Sequence, residues 1–181
     1  MKIISGTLRG REVKGYTIDG TRPTMDRVKE SMFAIIQDYI RDSICLDLFS
    51  GTGNLGIEAV SNGAKKVYFN DKNHLAVKVI KGNIEKFNIQ DKCEVLNKDY
   101  VDALDYYKDN HIKFNIVFLD PPYDNHVITE IFKMLYRKKL LKKDAIVVCE
   151  YVDENIEEEY FEVIKSKNYG YKKVGIYVQK K

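Results

Sequence analysis

The chain has 181 residues, 44% hydrophobic and 31% charged, which fits one soluble globular domain with a small appendage and excludes a disordered or low-complexity polymer. The formal net charge of +3 does not by itself announce a nucleic-acid partner. Residues 1–30, however, set Lys2, Arg9, Arg11, Lys14, Arg22, Arg27 and Lys29 against Glu12, Asp19, Asp26 and Glu30, and so carry the whole excess as a local basic face. Cys45, Cys93 and Cys149 are odd in number, widely spaced and each in an apolar run, which argues against a disulfide framework or a zinc site and for a reducing compartment. His74, His111 and His126 are scattered and suggest no metal site. No apolar run is long enough to span a bilayer and no secretory leader opens the chain, so a cytoplasmic protein is expected.

The first forty residues read as a hairpin, Lys2–Ser5 with Arg11–Lys14 around Arg9-Gly10, and then a helix. Thr24 is the candidate N-cap of that helix, with Val28, Met32, Ile35 and Tyr39 as its apolar face. Strands and helices then alternate. Ile44–Phe49 is a strand, followed by a glycine-rich turn and a helix to about Ser61; Lys66–Phe69 is a strand and Asn73–Phe87 a helix. Glu94–Leu96 precedes a helix near Tyr100–Tyr107, Phe114–Leu119 precedes one near Val127–Tyr136, and Ala145–Cys149 is a fifth strand. Phe161–Ser166 and Val174–Val178, separated by Tyr169-Gly170, read as a closing β-hairpin. Such alternation predicts an α/β fold: a doubly wound, mostly parallel, seven-stranded Rossmann-like sheet with a C-terminal hairpin. We divide it into an N-terminal extension, residues 1–40, and a sheet domain, residues 41–181. Ligands of such sheets bind beyond the carboxyl ends of the strands, where Asp47, Gly51, Asp71, Asp99 and Asp120 fall.

The segment Asp47-Leu-Phe49-Ser-Gly51-Thr-Gly53-Asn54-Leu-Gly56 contains G-x-G-x-x-G between a strand and a helix, and Asp71 follows Gly51 by 20 residues. Glycines allow close backbone approach, and an acid at that distance accepts hydrogen bonds from ribose hydroxyls. Two ligands compete. A dinucleotide would place a pyrophosphate on the helix N-terminus. S-adenosylmethionine has an ammonium instead, which Asp47 would favour. Phe49, Asn54 and Tyr100 complete the expected cofactor site. Asp99 either accepts from the adenine amino group or caps the helix before Val101.

Asn115-Ile-Val-Phe-Leu-Asp120-Pro121-Pro122-Tyr123 ends an apolar strand in an acid, two prolines and an aromatic. The prolines fix the backbone and leave carbonyls free as acceptors. An exocyclic base amine donating to the Asp120 carboxylate and the Pro121 carbonyl is oriented and helped toward sp³ character. Tyr123 can stack on a base withdrawn from its helix. A rigid diproline turn is the alternative.

These residues resemble the RsmD-type methyltransferases, which act on the 2-amino group of a guanine in small-subunit (16S) ribosomal RNA. The resemblance runs through Ile4-Ser-Gly-Thr-Leu-Arg9-Gly10-Arg11, Thr21-Arg22-Pro23-Thr24-Met-Asp26-Arg27-Val-Lys29-Glu30-Ser-Met-Phe33, the glycine loop with Gly56-Ile-Glu58-Ala, and Asp120-Pro-Pro-Tyr123. It implies S-adenosylmethionine as cofactor, Asp47, Gly51, Gly53 and Asp71 at the cofactor, and Asp120 to Tyr123 at the reacting amine. It also implies Arg9, Arg11, Arg22, Thr24 and Arg27 at the RNA or the assembling small subunit. Asn54 stands where small residues are frequent. A monomer is expected, because a large RNA supplies its own binding surface. The rival readings are a DNA adenine amino-methyltransferase, an NAD(P)-dependent oxidoreductase and a non-catalytic RNA-binding module.

Overall fold

The computed structural model describes residues 1–15 and 23–181, the side chains of 23–25 and 125 excepted. Five helices, α1 (Pro23–Ile40), α2 (Asn54–Ser61), α3 (His74–Phe87), α4 (Tyr100–Asp109) and α5 (Ile128–Arg137), surround seven strands. The strands are β1 (Ile44–Asp47), β2 (Lys66–Asn70), β3 (Cys93–Leu96), β4 (Phe114–Leu119), β5 (Leu141–Tyr151), β6 (Phe161–Tyr169) and β7 (Lys172–Gln179). They form one sheet in the order β3-β2-β1-β4-β5-β7-β6. Neighbours among β1 to β5 run parallel, and β7 is antiparallel to both β5 and β6. The doubly wound sheet and the C-terminal hairpin are as expected from the alternation.

The two-residue period of the strands sorts their side chains onto two faces. Cys45, Ile116, Phe118, Ile146, Val148, Val174 and Ile176 share a core with α1, α2 and α3. Leu46, Val117, Leu119, Val147, Cys149 and Tyr177 share the other with α4 and α5. Because β2 and β4 leave β1 on opposite sides, the chain's winding reverses between β1 and β4, and a cleft opens at their carboxyl ends.

The N-terminal segment departs from expectation in three ways. First, the hairpin is reduced to a single antiparallel bridge, Lys2 to Glu12. The N–H groups that would extend it are captured by α2: Ile4 N and Ser5 N donate to the Glu58 carboxylate, and Leu8 N to Ser61 Oγ. Gly6, at φ +80, permits this approach, since a Cβ there would meet the Ser61 carbonyl oxygen at 1.9 Å. Second, α1 begins at Pro23, so Thr24 lies inside the first turn rather than capping it. Proline suits the first helical position because its missing N–H would have no partner there. Third, the buried seam of α1 is Val28, Met32, Ile36 and Ile40, with Phe33 stacked on Phe118 at 5.7 Å, whereas Tyr39 is 42% exposed and Ile35 half-buried. The sheet surface, through Phe118, selects which side of the helix is covered.

Candidate functional site

Every turn after the inner strands opens into one cavity of about 450 Å³. The glycine loop leaves β1 at Asp47. Gly51 (φ +55) and Gly53 (φ +82) adopt left-handed conformations that a side chain resists. Gly56 answers a different need: a Cβ there would lie 2.2 Å from the Phe69 ring, so glycine lets α2 rest directly on β2. Two of the loop's N–H groups are already held by carboxylates. Gly56 N donates to Asp47 Oδ2 at 3.0 Å, and Gly51 N to Asp71 Oδ2 at 2.8 Å. Burial pushes the Asp47 carboxyl up to about 7, against the Gly56 N–H and with the nearby Asp71 charge adding to it. Asp71 Oδ1 accepts from Asn73 N, leaving a further lone pair on each oxygen.

Asn70, which the sequence reading passed over, is the clamp beneath this loop. Its amide donates to the carbonyls of Leu48 and Lys98 and its Oδ1 accepts from Lys98 N, tying together the turns after β1, β2 and β3. Its signal was a polar residue closing an apolar strand just before Asp71. On the far rim Phe49 and Tyr100 meet at 5.7 Å, and the Tyr100 hydroxyl donates to Glu130. Asp99 does cap α4, accepting from Val101 N through Oδ1, and it also lines the cavity, so both roles left open for it fit its position.

Opposite the loop, β4 runs into Asp120 and the diproline. Asp120, Pro121, Pro122 and Tyr123 line the same cavity, with Tyr123 43% exposed. The strand period places Asp47 of β1, Asp120 after β4, Glu150 of β5 and Lys172 of β7 on one face, on consecutive neighbours in the sheet. Lys172 Nζ donates to Glu150 Oε1 at 2.5 Å and lies 5.4 Å from the Tyr123 ring centre. Burial, then the Glu150 charge, raise the Asp120 carboxyl well above the usual carboxylate range, with Lys172 acting against them. Burial works against the Lys172 ammonium, but Glu150 and Tyr123 together outweigh it and raise its pKa. Neither Glu150 nor Lys172 belonged to a recognisable motif.

A second unforeseen group joins the N-terminal segment to the glycine loop. Lys29, 2% exposed, pairs with the fully buried Glu58 at 3.0 Å and donates to Asn54 Oδ1 and to the Lys2 carbonyl. Asn54 is thus a partner of Lys29, at the start of α2. Of the expected RNA contacts, Arg9 and Arg27 are exposed, and Arg22 lies outside the described residues, as does the side chain of Thr24. Arg11 is exposed but engaged: its guanidinium donates to the Lys86 carbonyl and lies 4.7 Å over the Phe87 ring. Among the described residues no group of His, Cys, Asp and Glu could hold a metal, and no helix is long and apolar enough to cross a membrane.

A family described as "Conserved hypothetical protein 95" matches residues 1–178. The chain is 36% identical over 151 residues to ribosomal RNA small subunit methyltransferase D of Haemophilus influenzae, covering 83% of this chain and 78% of that one. It belongs to the RsmD family. Its relative of the same description in Escherichia coli K12 is 30% identical, over 86% of this chain and 76% of that one. Among solved structures, "Putative methyltransferase yhhF from Escherichia coli" superposes with a TM-score of 0.85 at 27% identity, covering 99% and 98% of the two chains. The RsmD family and the methyltransferase fold therefore agree with the site's construction.

Proposed function

We propose that this RsmD-family protein transfers a methyl group from S-adenosylmethionine to the exocyclic 2-amino group of a guanine in small-subunit ribosomal RNA. The observation that carries the reading is the placement of Asp120-Pro-Pro-Tyr123 across one cavity from the glycine loop. The loop favours this cofactor over a dinucleotide. Two N–H groups that a pyrophosphate would use are occupied, Gly56 N in the first turn of α2 by the Asp47 carboxylate and Gly51 N by Asp71. Two carboxylates there repel phosphate and welcome a cation, and Asp71 keeps lone pairs for ribose hydroxyls.

When bound, the cofactor supplies an electrophilic methyl on a sulfonium. The chain's own residues do the rest. Asp120 and the Pro121 carbonyl accept the two N–H bonds of the amine, turning its lone pair toward the methyl and stabilising the positive charge that develops on nitrogen. Tyr123 presents an exposed ring for the base to stack on. Its surroundings raise the proton affinity of the half-buried Asp120, so the carboxylate that accepts the amine's N–H is suited to take the surplus proton after transfer. Residues 1–40 form the RNA-contacting extension in this reading, with the exposed Arg9 and Arg27 placed to meet phosphates and Arg11 partly committed to Phe87 and Lys86.

The test offers isotopically labelled methyl donor to undermethylated small subunits, to naked ribosomal RNA and to DNA, and identifies the labelled nucleoside by mass spectrometry. Labelled 2-methylguanosine is expected from a ribosomal substrate. Methyladenine in DNA, or no labelled nucleoside at all, refutes the reading.

A further inference from the structure

We propose that Glu150, held by Lys172, reads the target base as guanine by accepting its N1–H beside the 2-amino group that Asp120 accepts. The inference rests on the guanine reading above and assigns the residue that separates guanine from adenine, which also offers an exocyclic amine to an acid-Pro-Pro-Tyr motif.

Three observations lead to it. The first is register. Leu119 pairs with Cys149 in the parallel β4–β5 ladder, so Asp120 and Glu150 follow as neighbours on adjacent strands, about 5 Å apart at the backbone. Both point to the face that carries Phe118 and Val148. Two acceptors side by side match two donors side by side, and the Watson–Crick edge of guanine presents such a pair, N1–H next to the 2-amino group. The second is valence. The Glu150 side chain is 9% exposed and lines the cavity, but Lys172 takes only Oε1. Among the described residues no donor reaches Oε2, so this cavity-lining residue keeps an accessible carboxylate oxygen with its lone pairs unspent. The third is restraint. Lys172 is itself 10% exposed and touches both Glu150 and the ring of Tyr123, on which the base stacks. One ammonium thereby holds the acceptor and the stacking platform in a common geometry.

A buried ion pair in place of an apolar pair gains little stability. Its neighbours on this face, Val148, Val174 and Ile176, are apolar, so the polar pair answers a need other than packing. The chemistry supplies that need. Adenine has an unprotonated N1, and its lone pair would meet the Glu150 carboxylate with both desolvated. A site built to accept an N–H rejects an analogue lacking it far more strongly than a hydrophobic pocket rejects a shape.

The experiment uses RNA in which the guanosine modified by the wild-type enzyme is replaced, by ligation, with 2-aminopurine riboside. This base keeps the methyl-accepting amine but has no N1–H. Wild-type kcat/KM is expected to fall about 10- to 100-fold, as for loss of a hydrogen bond to a charged group. In Glu150→Gln, Lys172 retains the amide oxygen and turns the amide NH₂ toward the base, so the guanine to 2-aminopurine ratio collapses toward one or inverts. Lys172→Met lowers the same ratio without changing affinity for S-adenosylhomocysteine. 2-Aminopurine also lacks the 6-oxygen, but recognition of that atom would leave the ratio in Glu150→Gln as in wild type, and that result would overturn the proposal. Equal wild-type rates on the two bases would overturn it too, without any variant having to fold. Either result leaves the guanine methyltransferase reading standing. Failure of the wild type to form 2-methylguanosine removes that reading and this inference together.

Discussion

Lys29→Met tests the joint between the N-terminal segment and the cofactor loop. Lys29 Nζ donates to Asn54 Oδ1 at 2.8 Å and to the Lys2 carbonyl at 2.7 Å and pairs with the Glu58 carboxylate at 3.0 Å, in a place where Lys29 is 2% and Glu58 0% exposed. Methionine fills the stem's volume but leaves the Glu58 carboxylate, among the described residues, with only Ile4 N, Ser5 N and Ser5 Oγ as donors and with no opposing charge. Breaking a buried pair in this way costs about 3–5 kcal/mol. For a chain of this length each kcal/mol lowers Tm by about 2–4 °C, so a fall of about 6–20 °C is expected. Urea unfolding followed by circular dichroism measures the free energy directly. Adding Glu58→Gln removes the orphaned charge while keeping an acceptor for Ile4 and Ser5, so the double variant should be clearly more stable than the sum of the single losses implies. A Lys29→Met loss below about 1 kcal/mol, the range of a solvent-exposed pair, or strict additivity in the cycle, would refute the argument.

Gly56→Ala drives a Cβ to 2.2 Å from the Phe69 ring, so α2 must lift from β2. We expect a loss of about 1–3 kcal/mol from overpacking and at least tenfold weaker binding of S-adenosylhomocysteine by calorimetry, because the Gly56 N to Asp47 bond moves with the helix. The Asp47 carboxyl is raised from 3.8 to about 7, so the folded protein keeps a proton that the unfolded chain releases. The ligand-free protein therefore loses stability as pH rises from about 4 to about 7, a trend that denaturation across that range checks and to which Asp120 adds in the same direction. A cationic cofactor favours the ionised form, so affinity for S-adenosylmethionine should rise with pH through about 7 with release of a proton. Asp47→Asn should abolish that dependence in calorimetry across buffers of different ionisation enthalpy. Asp120→Ala should cut methyl transfer at least about 100-fold, as for loss of one preorganised transition-state partner, while S-adenosylhomocysteine still binds. Near wild-type turnover would remove Asp120 from the chemistry.

Local patterns carried much of the fold. The strands and helices from Ile44 to Arg137 follow apolar periodicity and end in glycines, prolines and caps, so their bounds were readable within a few residues. The N-terminal segment was harder because its partners are distant in sequence. Lys2–Ser5 reads as a hairpin strand, but the N–H groups of Ile4 and Ser5, and of Leu8 beyond it, are claimed by Glu58 and Ser61, more than 50 residues away. The α1 stripe was misplaced by the same cause: the face that is buried is the one packed on the sheet core, in which Phe33 stacks on Phe118.

The candidate site divides along the same line. Asp47, the three glycines, Asp71 and the acid-Pro-Pro-Tyr run are contiguous or near-contiguous motifs, in which each chemical task needs a particular residue at a short spacing. The sequence by itself therefore determined an α/β sheet with a glycine loop after its first strand and an acid-Pro-Pro-Tyr turn after its fourth. Only the tertiary structure decided that Glu150 and Lys172, charged residues near the ends of their strands and outside any motif, stand beside Asp120, and that Lys29 is spent on Glu58 and Asn54 rather than on solvent. Those contacts depend on which strands are neighbours and in what register. Register is set by the packing of the whole sheet, and no local spacing encodes it.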